Sequence, residues 1–149
     1  MVRRNAVHQL ITSRKAPKPI GSYAQAVLVN QPGAMLFISG QIPIEVPSGK
    51  LFTGDIKRQA EIALGHVRSI ISDAKFSMDE VVKVTIYLTD LANFDVVNSV
   101  YAKFFVGQSV PARAVVGVAS LPKNVGIEIE AQCIKQASSQ PIFTDDDFR

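Results

Sequence analysis

The stretch DIKRQAEIALGHVRSIISDAKFSMDEVVKVTIYLT, from Asp55 to Thr89, changes its hydrophobic period partway along, and that change decides the class of fold. In its first part Ala60, Ala63, Leu64, Val67, Ile70, Ile71 and Ala74 recur at three- and four-residue steps, the apolar stripe of a helix lying on a core. Asp55 is a suitable N-cap, because its carboxylate can accept from the first unpaired N–H groups. In the second part Val82, Val84, Ile86 and Leu88 alternate with Lys83, Thr85, Tyr87 and Thr89, the period of a half-buried strand.

Upstream, Val7–Ser13 reads as a first strand, and Ala16-Pro17-Lys18-Pro19-Ile20-Gly21 as a loop, since prolines and glycine break any ladder. Two strand-like runs, Ala24–Asn30 and Ala34–Ser39, flank Gln31-Pro32-Gly33. Proline presets φ and glycine supplies φ > 0 in such a spacer, so the runs are expected to form a hairpin. Residues Val46–Gly54, with Pro47, Ser48, Gly49 and Gly54, read as a surface loop. Downstream, Asn93 is placed to cap a second helix whose Phe94, Val97, Tyr101, Phe104 and Phe105 share a side. Two more strands are expected near Ala112–Ala119 and Gly126–Lys135, separated by a segment containing Pro122. The order β-β-β-α-β-α-β-β predicts an α+β fold with both helices on one face of a mixed sheet. The other face, with Lys83, Thr85, Tyr87 and Thr89, is only partly polar, which favours an oligomer that buries it. No repeat, linker or composition break divides the chain, so one domain is expected over residues 1–149. Its core would span about 7–135, with 136–149 a flexible acidic tail.

Composition excludes several classes of protein. With 47% hydrophobic and 19% charged residues the chain is of globular type, and no apolar run approaches the ~20 residues of a membrane span. The net charge of +3 arises at the ends: Arg3, Arg4, Arg14, Lys15 and Lys18 precede any acid, and Asp145, Asp146 and Asp147 close the chain. No basic stripe interleaved with aromatics marks a nucleic-acid surface. The single cysteine, Cys133, suits a reducing compartment, and cytoplasm is the expected location. The basic start leaves a mitochondrial presequence as the alternative.

The motifs of phosphate-binding loops, zinc proteases and serine hydrolases are absent. His8, His66 and Cys133 are too few for a zinc site. His66 lies off the main helical stripe and reads as a partly solvated side chain. Cys133 alternates with Ile127, Ile129 and Ala131 and reads as core. The informative segment is Pro111-Ala112-Arg113-Ala114-Val115-Val116-Gly117-Val118, where Arg113 shares a face with Val115 and Gly117. An arginine in mid-strand needs an anion or a path to water, and its planar fork fits a carboxylate. Glu128, Glu130 and Gln132 share a face of the next strand. Two readings follow: a structural Arg113–glutamate ion pair, or an anion-binding arginine with a glutamate nearby to hold water or move a proton.

Pro111-Ala112-Arg113, Leu121-Pro122 and Ile127-Glu128-Ile129-Glu130-Ala131 together resemble the C-terminal signature of the RidA/YjgF family. The resemblance continues through Ile20-Gly21-Ser22-Tyr23-Ala24-Gln25-Ala26, Ser39-Gly40-Gln41-Ile42-Pro43 and Val97-Asn98-Ser99-Val100-Tyr101, covering roughly residues 7 to 135. It implies a chorismate-mutase-like fold and a homotrimer with clefts between neighbouring subunits. It also implies hydrolysis of 2-aminoacrylate-type enamines and their imine tautomers, 2-iminopropanoate and 2-iminobutanoate, to 2-keto acids and ammonia without metal or organic cofactor. By that resemblance Arg113 would clamp the substrate carboxylate, Glu128 would position or activate water, and Tyr23 would close the cleft. Ser39, Gly40 and Asn98 would line it. Many bacterial members carry cysteine two residues after the arginine. Here that position is Val115, whose backbone N–H alone could meet a carboxylate and which removes any thiol chemistry there. Two other functions are compatible with the resemblance: a non-catalytic small-molecule-binding or regulatory trimer, and a translation inhibitor with endoribonuclease activity.

Overall fold

Alternation along the central strand organises the molecule. The computed structural model describes residues 8–29, 32–106 and 110–137. Its strands are β1 (Gln9–Ile11), β2 (Ala26–Leu28), β3 (Pro32–Gln41), β4 (Val81–Leu88), β5 (Ala112–Gly117) and β6 (Ile127–Gln136). The helices are α1 (Ile56–Asp73), between β3 and β4, and α2 (Phe94–Phe104), between β4 and β5. This is the expected order, and the fold is α+β.

A four-stranded mixed sheet runs β3-β6-β4-β5, antiparallel except for the parallel β4–β5 pair. On β4, Val82, Val84, Ile86 and Leu88 are buried while Lys83, Thr85 and Tyr87 are half-buried. Ile127, Ile129, Ala131 and Cys133 of β6 face the same way as Val84 and Ile86, and α1 and α2 close over them. From α1 come Ala60, Ala63, Leu64, Val67 and Ile71, from α2 Val97, Val100 and Tyr101. Each large side chain buried in this way contributes about 1.5–3 kcal/mol.

Asp55 caps α1 as its position predicts, accepting from the Arg58 N–H at 3.0 Å. The buried face of α1 is wider than the stripe suggests and includes Gln59 and Ile62. The Gln59 amide donates to Gly54 O at 2.8 Å and accepts from Gly126 N at 2.9 Å, joining the head of α1 to the start of β6. Asn93 makes no side-chain cap bond. A turn of 3-10 helix over Leu91–Asn93 precedes α2, and Asp90 caps it instead, accepting from Ala92 N at 2.9 Å.

The expected hairpin between the second and third strands is not formed. β2 pairs antiparallel with β1, and β3 pairs with β6. Gln31 lies outside the described residues, but Pro32 and Gly33 belong to β3 itself. Proline is tolerated at the first residue of a strand, where it need not donate. A Cβ on Gly33 would lie 3.1 Å from Ala137 N and 3.1 Å from Lys135 O, so that glycine admits the neighbouring backbone rather than turning the chain. The β1–β2 hairpin joins the sheet by one parallel bridge, Ala24 with Ala112, where Ala24 N donates to Pro111 O at 3.1 Å. Of the tail expected over 136–149, Gln136 ends β6, and residues 138–149, like Arg3 and Arg4, lie outside the described residues. No described helix is long and apolar enough to cross a membrane.

His8, just before β1, is buried, and neither ring nitrogen is hydrogen-bonded among the described residues. Burial pushes its pKa below 6.5, and the nearby Asp79 carboxylate only partly opposes this. The unfolded chain therefore takes up this proton near pH 6.5 while the folded chain does so only at lower pH. The His8 contribution to stability is thus intact above 6.5 and lost as the pH falls below it. Urea melts between pH 7.5 and 5 are expected to show that decline, and His8→Leu to flatten it.

Candidate functional site

The register separates the two residues on which the chemistry was expected to converge. Arg113 pairs with Val84, on the helix-covered face. Glu128 pairs with Tyr87, on the open face. Arg113 and Glu128 of one chain therefore stand on opposite sides of the same sheet, and the expected ion pair between Arg113 and a glutamate of the next strand is absent. Among the described residues the one ion pair is Arg58 with Glu61 at 3.3 Å. Alternation within each strand was read correctly; the relative phase of β5 and β6 is set by β4, which lies between them.

On the helix side, Arg113 Nη1 donates to Asn98 Oδ1 of α2 at 2.8 Å. Its guanidinium lies 4.6 Å from the Tyr101 ring centroid, 5.5 Å from that of Tyr23 and 5.8 Å from that of Phe94. Tyr23 comes from the loop between β1 and β2. Its N–H donates to Gly21 O at 2.9 Å, and its hydroxyl accepts from Ile20 N at 3.3 Å. Gly21 lets this loop approach closely: a Cβ there would sit 3.0 Å from Arg113 Nη2 and 3.6 Å from Asn98 Oδ1. Burial lowers the Arg113 pKa, with Tyr101 and Tyr23 opposing that shift, and a guanidinium so placed remains a cation. Val115 shares this face and packs against the core.

On the open face, Glu128 lies over Gly40, where a Cβ would fall 1.9 Å from its Oε1 and 2.7 Å from its Cδ. Only glycine leaves room for the carboxylate there. Ser39 is exposed beside it and lines a shallow cavity of about 200 Å³ with Phe37, Lys83, Thr85, Glu130 and Gln132. Tyr87 donates to Glu130 Oε1 at 3.0 Å, a bond that raises the phenol pKa and keeps it protonated. Met35, Phe37 and Val116 leave apolar surface on this face, with Phe37 66% exposed.

The expected site residues thus fall into two groups: Arg113, Asn98, Tyr23 and Val115 on one face, Glu128, Gly40 and Ser39 on the other. Sequence reasoning missed Phe94, Tyr101 and Gly21 as neighbours of Arg113. Phe94, Asn98 and Tyr101 follow at four- and three-residue steps, a spacing that puts all three on one side of α2. His66 is half-buried on α1 and Cys133 lies in the core. His66 Nε2 donates to Ile44 O at 2.6 Å, and Cys133 is buried, with its thiol pushed up to about 11 by burial first and Glu80 second. Among the described residues no three His, Cys, Asp or Glu side chains gather as metal ligands.

Comparison with known proteins matches residues 13–135 to the family model described as Endoribonuclease L-PSP. The RutC family protein PYRAB12510 of Pyrococcus abyssi is 45% identical over 128 residues, covering 86% of this chain and 98% of its own. The solved structure of the YjgF gene product from Escherichia coli is similar with a TM-score of 0.66 at 38% identity, over 86% of this chain and 99% of that one. A third relative, named "Putative reactive intermediate deaminase TdcF" of Escherichia coli, is 38% identical over 131 residues, covering 87% of this chain and 98% of its own. The structure of TdcF with bound serine is similar with a TM-score of 0.64 at 36% identity, over 86% of this chain and 99% of that one.

Gly40→Ala is expected to keep its stability within about 1 kcal/mol of wild type, because the new methyl meets a side chain that can rotate away. The Glu128 carboxylate should leave its place over residue 40. A denaturant melt and a structure of the variant check both parts.

Proposed function

The chain belongs to the RidA/YjgF family, matched as Endoribonuclease L-PSP, and from that premise we propose that it is an enamine/imine deaminase acting as a homotrimer. Its substrates would be 2-iminopropanoate and 2-iminobutanoate, derived from 2-aminoacrylate-type enamines, and its products 2-keto acids and ammonia. One observation carries the reading: Arg113 and Glu128 stand in prepared settings on opposite faces of one sheet, and neither forms an ion pair among the described residues. In this reading a second copy covers the open face, whose exposed Met35 and Phe37 favour cover, and would set its own Arg113 edge against this chain's Glu128.

In such a cleft Arg113 holds the substrate carboxylate by paired N–H donors, with Asn98 fixing the guanidinium from behind. Tyr23 covers the bound molecule, and the backbone at Ser39, Gly40 and Val115 shapes the walls. Glu128 of the partner subunit accepts a proton from water as the water oxygen bonds to C2 of the protonated imine. The C=N π electrons pass to nitrogen, giving a carbinolamine. Glu128 then returns the proton to that nitrogen, the C–N bond breaks with release of ammonia, and loss of the hydroxyl proton leaves the keto group. Orientation and one activated water suffice because a protonated imine is already electrophilic. The reducing cytoplasm remains our assignment for this chemistry, in keeping with Cys133 as a buried thiol.

An RNA-cleaving function is less well supported by the side chains. The chain has two histidines; His8 is buried and His66 is bonded to a main-chain carbonyl, so no pair is available as general acid and base.

The test generates the imines in situ with an amino-acid oxidase and traps them with semicarbazide. Wild type should suppress the semicarbazone; Arg113→Ala and Glu128→Gln should each lose at least about 100-fold in kcat/KM. Mixed trimers of the two inactive variants, co-expressed in equal amounts, should recover about a quarter of the sites, because an interface can combine the intact halves. Wild type without suppression would end the enzyme reading. Mixed trimers without recovery would overturn a site shared between subunits.

A further inference from the structure

A half-buried guanidinium is often held by a carboxylate, and the Arg113 site lacks one. Among the described residues no acidic oxygen comes within 4.0 Å of it, and its one hydrogen bond goes to the neutral Asn98 amide. Its surroundings are instead three aromatic rings, at 4.6, 5.5 and 5.8 Å to the centroids of Tyr101, Tyr23 and Phe94. The negative ring faces attract the cation without consuming its N–H donors. An acid in the same place would form the fork-to-fork pair that an incoming carboxylate needs.

Tyr101 is the innermost of the three. It is fully buried, its ring packs tilted against Phe105 at 4.5 Å between centroids, and its hydroxyl has no hydrogen-bond partner among the described residues. Burial raises the phenol pKa far above neutrality despite the adjacent guanidinium, so Tyr101 gives Arg113 a neutral ring and no counter-charge. Phe94 has only a ring to offer. It opens α2, and Asn98 and Tyr101 follow on the same side of that helix.

We propose that Tyr101 and Phe94 are positioning residues for anion binding: with Tyr23 they enclose the Arg113 guanidinium in an aromatic box that leaves its charge and remaining donors to a small carboxylate ligand. The inference rests on reading Arg113 as the carboxylate clamp and adds what holds that clamp ready. Helix α2 then supplies both the amide that fixes the guanidinium and two of the rings around it.

Phe94→Leu, Tyr101→Leu and Tyr101→Phe separate ring face from bulk and from hydroxyl. Two readouts are needed: calorimetric Kd for 2-oxobutanoate, a product-like carboxylate, and KM and kcat for 2-iminopropanoate. Both leucine variants should weaken Kd and raise KM about tenfold, with kcat changed less than about twofold. Tyr101→Phe should restore both, since the hydroxyl it removes is unpartnered. Should Tyr101→Leu fail to fold, Phe94→Leu, at a half-buried position, decides the matter. Folded leucine variants with wild-type Kd and KM overturn the proposal, as does a Tyr101→Phe variant as weak as Tyr101→Leu. If wild type turns nothing over yet binds 2-oxobutanoate in a ring-dependent way, the deaminase reading fails and the aromatic box stands. If turnover is normal and the leucine variants match wild type, the box fails alone.

Discussion

Strand β4 imposes one constraint from which the remaining geometry follows. Its even-numbered side chains enter the core and its odd-numbered ones, from Lys83 onward, face outward; the strands bonded to its two edges take their phase from it. Through Val84 that phase carries Arg113 under the helices, and through Tyr87 it carries Glu128 to the outer surface. A slip of one residue in either pairing would turn a whole strand over, exposing Ile127 and Ile129 or burying the glutamates. The apolar alternation that secures the core therefore also fixes where each charged group stands. Core packing and site geometry are one constraint here.

The molecule treats its wholly or partly buried polar groups in three different ways. Gln59 finds a main-chain partner at each end of its amide, so its burial joins α1 to β6. Arg113 keeps its charge among rings with one amide partner. His8 has no partner for either nitrogen, and its imidazole stays neutral in the fold to a lower pH than it would in water. These arrangements fit their places. The glutamine lies where two elements start, the arginine lies where a loop and a helix meet at the sheet edge, and the histidine leads into a short peripheral strand.

Much of this was legible in the chain. The stripe of α1 and the alternation of β4 each come from a period that burial enforces, and both were found within a few residues of their bounds. Arg113 stood out because a mid-strand arginine between apolar neighbours needs a reason. The partner of each strand was less accessible. Pro32 and Gly33 have the chemistry of a turn, but they open a long strand whose best partner lies at the far end of the chain. Whether Arg113 and Glu128 share a face depends on β4 between them, which neither strand's own pattern encodes. The Gln59 bridge was likewise hidden, because a polar residue on a helix reads as solvated until Gly54 and Gly126 are seen beside it. Phe94 and Tyr101 read as core aromatics, and their placement around a cation needs coordinates.

The attachment of the β1–β2 hairpin has a consequence for the kinetics of amide exchange. Among the described residues those short strands pair with each other, reach the main sheet through one bridge at Ala24, and stand beside a cavity of about 690 Å³ that includes Val27, Val29, Met35 and Ile134 in its walls. Little backbone bonding therefore links the hairpin to the layers packed beneath α1 and α2. The hairpin amides are therefore expected to exchange ahead of those of β4 and β6. Tyr23 lies one residue before the bridge, so an opening of the hairpin would also carry its ring away from Arg113. On that expectation a local opening, smaller than global unfolding, would bare the guanidinium.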